Sequence, residues 1–271
     1  MILVNGIETG MLDALDRGLA YGDGIFRTLL LRDGKPKAWV HQYAKLVADC
    51  ERLNLTVPAQ AILETDIVRI ATDMPDCIVK IIVTRGSGLR GYAITENWVA
   101  SRTITISSPI PTYPRSHTEQ GIIARVCDIQ LGRQPALAGI KHLNRLENVL
   151  ARNEWHDPQI AEGILLDMGG KVIGGTMSNL LIVRGNSLLT PNLSACGVCG
   201  VTRDRILVAG PKLGLKTGIG EFELKDLYTA DAVMLCNSVI GVWQIRTLGH
   251  QHWQPHTAVQ LIRTLLESDL D

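Results

Sequence analysis

Three prolines within six residues place the strongest constraint on how this chain can fold. Pro109, Pro111 and Pro114 each fix φ and lack a backbone N–H donor, so regular structure is broken there. The order of predicted strands and helices also differs before and after them. We therefore predict an α/β (α+β) protein of two domains with a ligand site in the cleft between them. The predicted parts are a smaller N-terminal domain over 1–108, a proline-rich linker over 109–120, and a larger C-terminal domain over 121–271.

Apolar runs and turn signals organise the N-terminal part. The run Ile25–Leu31 is typical of a buried strand, and Asp33-Gly34 is a hairpin turn signal. Lys37–Val40 is predicted as the returning strand, followed by a helix. A further β-rich run, Cys77–Thr84, ends in the loop Arg85–Tyr92.

Lys141 follows a turn of small residues, Ala138 and Gly139, which leave room for a flat ligand. The residues after it recur at helical spacing and are expected to face a core; they are Leu143, Leu146, Val149 and Leu150. A lysine held in such a place can lose its hydration and act as a nucleophile or Schiff-base former. On this segment alone, a surface lysine at a helix start is the simpler interpretation.

The glycine loop Gly197–Arg203 precedes a predicted helix, Asp204–Leu213. Exposed N–H groups at a helix N-terminus form a natural phosphate seat, to which Thr202 can add a hydroxyl donor. The alternative is an ordinary loop with Thr202 as the N-cap. Because the loop is neither a P-loop nor a GxGxxG motif, it argues against nucleotides.

The loop Arg85–Tyr92 sets Arg85, Arg90 and Tyr92 among three glycines at a strand end. Guanidinium groups on a tight loop are suited to a bidentate grip on a carboxylate. A structural hairpin with solvated arginines is the alternative, and the residue pattern alone does not separate the two.

Charge and composition exclude several classes of function. The net charge is zero, so no electrostatic argument points to nucleic acid or an anionic membrane. The chain is 46% hydrophobic and 20% charged, as in a globular protein. No signal peptide or membrane-spanning segment is recognisable, so we expect a cytoplasmic protein that binds a small molecule.

No metal site is predicted. Cys196 and Cys199 form a CxxC motif, but no second CxxC or CxxH has suitable spacing. His250, His252 and His256 lie among polar residues of a predicted surface turn and are assigned no function. The six cysteines are expected to be reduced and mostly buried.

Five motifs, in order along nearly the whole chain, carry a family resemblance: Asp16–Phe26 (DRGLAYGDGIF), Arg85–Tyr92 (RGSGLRGY), Ala138–Glu147 (AGIKHLNRLE), Met177–Leu180 (MSNL) and Cys236–Ser238 (CNS). Together they resemble the fold-type IV pyridoxal-phosphate enzymes, and within that group most closely the aminodeoxychorismate lyases. The resemblance implies a homodimer that binds pyridoxal 5'-phosphate. The implied reaction converts 4-amino-4-deoxychorismate to 4-aminobenzoate and pyruvate in folate biosynthesis. The alternatives are a D-amino-acid or branched-chain aminotransferase, and a catalytically weakened ligand-binding protein of the same fold.

The resemblance also assigns roles to individual residues. Lys141 is implied to be the Schiff-base lysine and proton shuttle. The implied cofactor-binding residues are Lys45, Lys141, Asn179, Val201, Thr202 and Ser238. The implied substrate-binding residues are Arg85, Arg90 and Tyr92, and the resemblance does not fix which arginine contacts a substrate carboxylate.

Three positions depart from the family pattern. Lys45 stands where the family has a phosphate-binding arginine, which keeps the charge but loses the bidentate fork. Gly174 stands where an acidic residue pairs with the pyridine nitrogen, so the cofactor becomes a poorer electron sink. Arg27 stands where many relatives have Glu or Thr. Since aromatisation of the product lowers the demand on the cofactor, Gly174 weakens the aminotransferase interpretation more than the lyase interpretation.

Overall fold

The computed structural model describes residues 1–88, 90–94 and 102–268, and the chain divides into two compact units. Unit 1 comprises Met1–Pro111 together with Lys141–Asn144. Unit 2 comprises Thr112–Ile140 together with the chain from Arg145 onwards. The chain thus leaves unit 2 for four residues, and the first of these is Lys141.

Within the described residues, unit 1 contains a six-stranded antiparallel sheet in the order β2-β1-β6-β5-β3-β4. Its strands are β1 (Ile2–Val4), β2 (Ile7–Glu8), β3 (Gly24–Arg32), β4 (Lys35–Pro36), β5 (Cys77–Thr84) and β6 (Arg102–Ser108). Its helices are α1 (Arg17–Tyr21), α2 (Trp39–Arg52) and α3 (Gln60–Asp73).

Strand β3 is the longest strand of unit 1, and every second side chain along it is buried. This alternation follows from the two-residue period of a strand with one face on the core. The predicted returning strand Lys37–Val40 is wrong: β4 ends at Pro36, and α2 begins at Trp39. Ala38 has φ 54° in the left-handed region, which turns the chain out of the hairpin and into the helix.

Unit 2 contains, in its described part, a nine-stranded mixed sheet in the order β12-β11-β10-β13-β14-β7-β8-β9, with β15 paired to β14. Its strands are β7 (Ile122–Leu131), β8 (Ile160–Asp167), β9 (Val172–Gly175), β10 (Asn179–Arg184), β11 (Ser187–Pro191), β12 (Lys216–Gly220), β13 (Ala232–Asn237), β14 (Gly241–Leu248) and β15 (Gln251–His252). Its helices are α4 (Arg115–Glu119), α5 (Leu146–Arg152), α6 (Val201–Ala209), α7 (Leu224–Tyr228) and α8 (Thr257–Ser268), with a 3-10 helix at Gly210–Leu213.

The central strands of this sheet are buried on both faces. Along β13, Val233 and Leu235 join one apolar cluster, whereas Met234 and Cys236 join another. The second cluster includes side chains of α6 and α8, such as Ile206 and Val259. Such strands are expected to be continuous apolar runs. In the part of the chain that the structure describes, no helix has the length and apolar character needed to cross a membrane.

Helix α5 corrects one prediction from the sequence. Leu146, Val149 and Leu150 are 69%, 51% and 52% exposed, so the expectation that they face a core is wrong. The helix has only seven residues, and the buried one is Ala151. Periodicity identified an apolar helix side, but periodicity carries no information about which surface covers that side.

Gly24 lies where both β5 and the Lys141 segment come too close to β3 to leave room for a side chain. A Cβ at Gly24 would lie 2.4 Å from the Val83 carbonyl oxygen and 2.8 Å from Leu143 Cδ1. We expect Gly24→Ala to lower the free energy of unfolding by about 1–3 kcal/mol, because backbone must shift. Urea denaturation measures this. The control Gly10→Ala, with nothing within 4 Å, should stay within about 0.5 kcal/mol of wild type; equal stability of the two variants would contradict the packing described.

Candidate active site

The backbone of Lys141 is held at both of its polar groups. The Lys141 N–H donates to Asp49 Oδ2 at 3.0 Å, and the Lys141 carbonyl accepts from the Phe26 N–H at 2.9 Å. The Leu143 N–H donates to the Gly24 carbonyl at 3.0 Å. These bonds lay the segment antiparallel along the start of β3, so the lysine side chain leaves from a fixed point.

The Lys141 side chain is half-buried and lies against an aromatic ring. Its Nζ is 4.3 Å from the centroid of the Phe26 ring, within the range of a cation–π contact. Lys80 Nζ lies 4.8 Å from the same centroid, a neighbour that the sequence did not indicate. This position favours the interpretation of Lys141 as a nucleophile or Schiff-base former over that of a fully solvated surface lysine.

A buried ion pair connects this segment to helix α2. Arg27 and Asp49 are 1% and 4% exposed, and Arg27 Nη2 donates to Asp49 Oδ2. Arg27 Nη2 also donates to the Lys45 carbonyl at 3.0 Å. Sequence reasoning noted Arg27 only as a departure and missed Asp49. The available signal was a carboxylate on the apolar side of α2, between Leu46 and Cys50.

The guanidinium of Arg85 makes its hydrogen bonds to residues of unit 1. Its guanidinium grips Asp23 through Nε at 2.8 Å and Nη2 at 3.0 Å. It also donates to the Leu53 and Asn54 carbonyls at 2.8 and 2.7 Å. The bidentate grip expected of this loop is therefore made, but to a carboxylate of the chain itself.

Arg17 bonds the backbone at the C-terminal end of the loop Arg85–Tyr92. It donates to Asp23 Oδ2 at 2.8 Å, to the Gly91 carbonyl at 2.6 Å and to the Tyr92 carbonyl at 3.3 Å. The backbone around Arg90 and Tyr92 is thus anchored, while both of their side chains are exposed. That arrangement leaves Arg90 better placed than Arg85 to meet a carboxylate from solution.

In unit 2, Asn179 holds the glycine loop through both of its side-chain groups. Its Oδ1 accepts from the Gly200 N–H at 3.0 Å, and its Nδ2 donates to the Val198 carbonyl at 2.7 Å. A Cβ at Gly200 would lie 2.3 Å from Asn179 Oδ1, so only glycine fits. The Gly139 N–H donates to the Gly197 carbonyl at 2.9 Å, and Gly139 accepts from the Cys199 N–H at 3.0 Å.

Helix α6 begins within the predicted loop, at Val201, three residues before the predicted start. Its N-cap is Gly200, which has no side chain to accept from the first-turn N–H groups; the alternative role of Thr202 as N-cap is wrong. The N-terminus of this nine-residue helix presents backbone N–H donors and the positive end of the helix dipole. Ser238 lies just beyond β13, where Cys236 pairs with Asn179.

Glu162 shapes the turn that precedes Asn179, and sequence reasoning missed it. This carboxylate is 1% exposed and accepts from the Thr176 N–H and Oγ1 at 3.0 and 2.5 Å. It also accepts from Ser178 Oγ at 2.8 Å. A charge in the middle of an apolar strand was the available signal. The Glu162 carboxylate thus bonds residues of this turn. At Gly174, a Cβ would lie 2.9 Å from the Ser178 carbonyl oxygen, so a side chain there requires a shift of the turn.

The CxxC motif has a structural explanation. Cys196 is buried in an apolar cluster, and that burial raises the pKa of its thiol to about 11. A thiol with such a pKa is protonated at neutral pH and is a poor nucleophile or ligand. The motif is therefore accounted for by packing beside the glycine loop.

The residues present fit pyridoxal phosphate. A glycine loop with no room for a Cβ at Gly197 or Gly200 leads into a helix N-terminus with a threonine in its first turn, which matches a phosphate. A half-buried lysine on an aromatic ring matches an aldehyde and a flat ring. Unit 1 holds Lys45 and Lys141 as well as Arg85, Arg90 and Tyr92, and unit 2 holds Asn179, Val201, Thr202 and Ser238.

Comparison with known proteins identifies relatives of this chain. Residues 24–248 match the amino-transferase class IV family. The chain is 34% identical over 244 residues to an aminodeoxychorismate lyase of Vibrio harveyi, covering 89% of each chain. The structure of 4-amino-4-deoxychorismate lyase from Pseudomonas aeruginosa is similar, with a TM-score of 0.94, 41% identity and 100% coverage of both chains. The branched-chain amino acid aminotransferase of Escherichia coli shares the fold at 22% identity, with a TM-score of 0.86 and coverage of 99% and 94%. The predicted fold class and resemblance are confirmed.

Asp23 should give the stability of unit 1 a defined pH dependence. Burial raises the pKa of this carboxyl, but the bonds and charges of Arg85 and Arg17 outweigh it and hold the pKa below its ordinary value. A carboxyl whose pKa is lowered by folding stabilises the fold at any pH above its ordinary pKa. This stabilisation is lost as the pH falls through the pKa of the folded state. Asp23→Asn should therefore cost about 1–3 kcal/mol at pH 7, and its deficit should shrink below about pH 4.

Urea denaturation of wild type and Asp23→Asn between pH 7 and pH 3 measures this deficit. The control is Asp128→Asn, whose carboxylate pairs with Arg125 but is 87% exposed; it should change stability by less than about 1 kcal/mol at any pH. A deficit for Asp23→Asn that does not vary with pH would contradict the assignment.

Proposed function

The chain belongs to the amino-transferase class IV family, and from that premise we propose that it is a pyridoxal-phosphate-dependent aminodeoxychorismate lyase. The reaction would convert 4-amino-4-deoxychorismate to 4-aminobenzoate and pyruvate, a step of folate biosynthesis. The observation that carries the proposal is the position of Lys141, whose backbone is fixed at both polar groups and whose amine lies on the Phe26 ring. The two lyases described above are similar over nearly the whole chain.

Pyridoxal phosphate supplies an aldehyde that condenses with amines and a ring that withdraws electrons from the carbon bearing the amine. We assign Lys141 Nζ to the aldehyde, and the Val201 and Thr202 N–H groups with the Ser238 hydroxyl to the phosphate. Lys45 adds a cation for that phosphate. Only two peptide units separate Lys141 from Gly139, which bonds the glycine loop, so its Cα stays within about 7.6 Å of the Gly139 Cα.

Lys141 moves the proton in the proposed reaction. With the cofactor bound, Lys141 Nζ would take the proton from the substrate carbon that bears the amine. The neighbouring C–O bond would then break, and the ring would become aromatic. The departing enolpyruvate would gain a proton at carbon and become pyruvate, and Lys141 Nζ would take back the aldehyde as the amine of 4-aminobenzoate leaves it. Arg90, exposed on an anchored loop, is assigned to a carboxylate of the substrate.

Gly174 favours the lyase over an aminotransferase. The position expected to carry a carboxylate for the pyridine nitrogen has none, and Glu162 is engaged by the turn at 176–178. A transaminase must stabilise a carbanion until it is reprotonated elsewhere, whereas aromatisation drives the lyase reaction forward. The weaker electron sink is therefore compatible with the lyase and unfavourable for transamination.

The assembly and location proposed for the enzyme are a homodimer in the cytoplasm. The exposed apolar side of α5, formed by Leu146, Val149 and Leu150, supports a partner surface. The cysteines are free thiols, and those at 50, 77, 127, 196 and 236 are buried, which suits a reducing compartment. Sedimentation of the purified protein tests the dimer, and a monomer at micromolar concentration would exclude it.

The principal test is product formation. Purified protein loaded with pyridoxal phosphate should release fluorescent 4-aminobenzoate from 4-amino-4-deoxychorismate, and Lys141→Ala should lose at least about a thousandfold in rate. Loading with the cofactor followed by D-alanine or leucine should yield no pyridoxamine phosphate. Wild type no faster than Lys141→Ala would refute the lyase, and rapid pyridoxamine phosphate formation would favour an aminotransferase.

Lys45 provides a second test, of the phosphate site. Lys45→Arg should bind pyridoxal phosphate about threefold to tenfold more tightly, because guanidinium makes two parallel bonds to phosphate where ammonium makes point contacts. Equilibrium dialysis measures the affinity. Lys35→Arg, at an exposed position of β4, is the matched control and should leave it unchanged. If both variants bind like wild type, Lys45 does not contact the phosphate.

A further inference from the structure

The buried Arg27–Asp49 ion pair is bonded to the backbones of both lysines assigned to the cofactor. Asp49 Oδ2 accepts from the Lys141 N–H at 3.0 Å, and Arg27 Nη2 donates to the Lys45 carbonyl at 3.0 Å. The two side chains are bonded to each other. One ion pair thus links a residue of β3, two turns of α2 and the segment that begins with Lys141.

Stability alone is a weak reason to keep this pair. Desolvating two ions costs about as much as their attraction returns, and apolar replacements of buried pairs are often as stable or more so. Asp49 is 4% exposed and Arg27 is 1% exposed, so that cost applies here in full. What an apolar pair could not supply is an acceptor for the Lys141 N–H and a donor to the Lys45 carbonyl.

We propose that Arg27 and Asp49 are positioning residues that hold Lys141 in register with Lys45. The pair fixes the backbone from which the Lys141 amine reaches the cofactor aldehyde, and it ties that point to the helix carrying the Lys45 ammonium. The inference rests on the proposed function for the identity of the cofactor. The geometry on which it acts exists in the chain without cofactor.

Three variants separate positioning from stability. Asp49→Ala removes the acceptor, whereas Asp49→Asn keeps an oxygen that can accept from the Lys141 N–H. The double variant Arg27→Met with Asp49→Leu replaces the pair by apolar side chains and restores packing without an acceptor. Asp66→Asn is the control, because Asp66 is a buried carboxylate of unit 1 that accepts from Thr105 Oγ1 on β6.

The first measurement is hydrogen exchange of the Lys141 amide in the full chain without cofactor, compared at equal fractions folded. We expect exchange on the order of tenfold faster in Asp49→Ala and in the double variant. The Lys141 amide of Asp49→Asn should exchange at a rate closer to that of wild type, and the amide of Asp66→Asn should exchange at the wild-type rate. The second measurement is the rate at which borohydride fixes a pyridoxyl group on the Lys141 peptide, which should fall in the same order.

The outcomes are distinct. If the Lys141 amide of the double variant exchanges at the wild-type rate, the pair does not hold the Lys141 backbone and the inference fails. If exchange is accelerated but the labelling rate of Lys141 is unchanged, the pair does not position the amine, and the inference also fails. If wild type takes up no pyridoxyl group at Lys141, the proposed function fails, whereas the exchange data still report on the backbone.

Discussion

Two backbone hydrogen bonds between the Lys141 segment and β3 are the contacts on which the candidate site depends. They join Lys141 to Phe26 and Leu143 to Gly24, and they bring four residues of an otherwise continuous stretch of unit 2 into unit 1. Backbone bonds of this kind fix the position of a residue without using its side chain. The close approach of Leu143 to Gly24 and the contact of the Lys141 amine with the Phe26 ring follow from the same arrangement.

Much of the fold was predictable because strand and helix periodicities survive in the sequence. The runs at Ile25–Leu31 and Cys77–Thr84 are strands of unit 1, and they pair along almost their whole length. The errors lie where local signals compete. Ala38, with its left-handed backbone, follows a hairpin that ends at Pro36, whereas the apolar pattern placed its end at Val40. The apolar side of α5 was visible, but its exposure depends on tertiary packing that no local pattern encodes.

The candidate site was predictable where the residue type itself indicates a chemical role, and it was missed where a side chain bonds the backbone. A lysine after a small-residue turn and glycines before a helix are residues of the first kind. Asp49, Glu162 and Arg17 instead hold backbone groups remote in sequence, and their partners lie 92, 14 and 74 positions away. Sequence spacing cannot reveal a contact over such distances. Arg85 shows the converse case, because its residue type fits carboxylate binding while its partner turns out to be Asp23.

The departures from the family pattern acquire a common interpretation from these contacts. The chain lacks a carboxylate at position 174, and two of its buried carboxylates bond other groups of the chain: Glu162 bonds the turn before Asn179, and Asp49 bonds the Lys141 backbone. These two charges fix the positions of neighbouring groups. A reaction driven by aromatisation needs a well-placed proton acceptor more than a strong electron sink. A half-buried lysine with its backbone held between Asp49 and Phe26 meets that need, which is why the lyase is the chemistry that this combination of residues suits best.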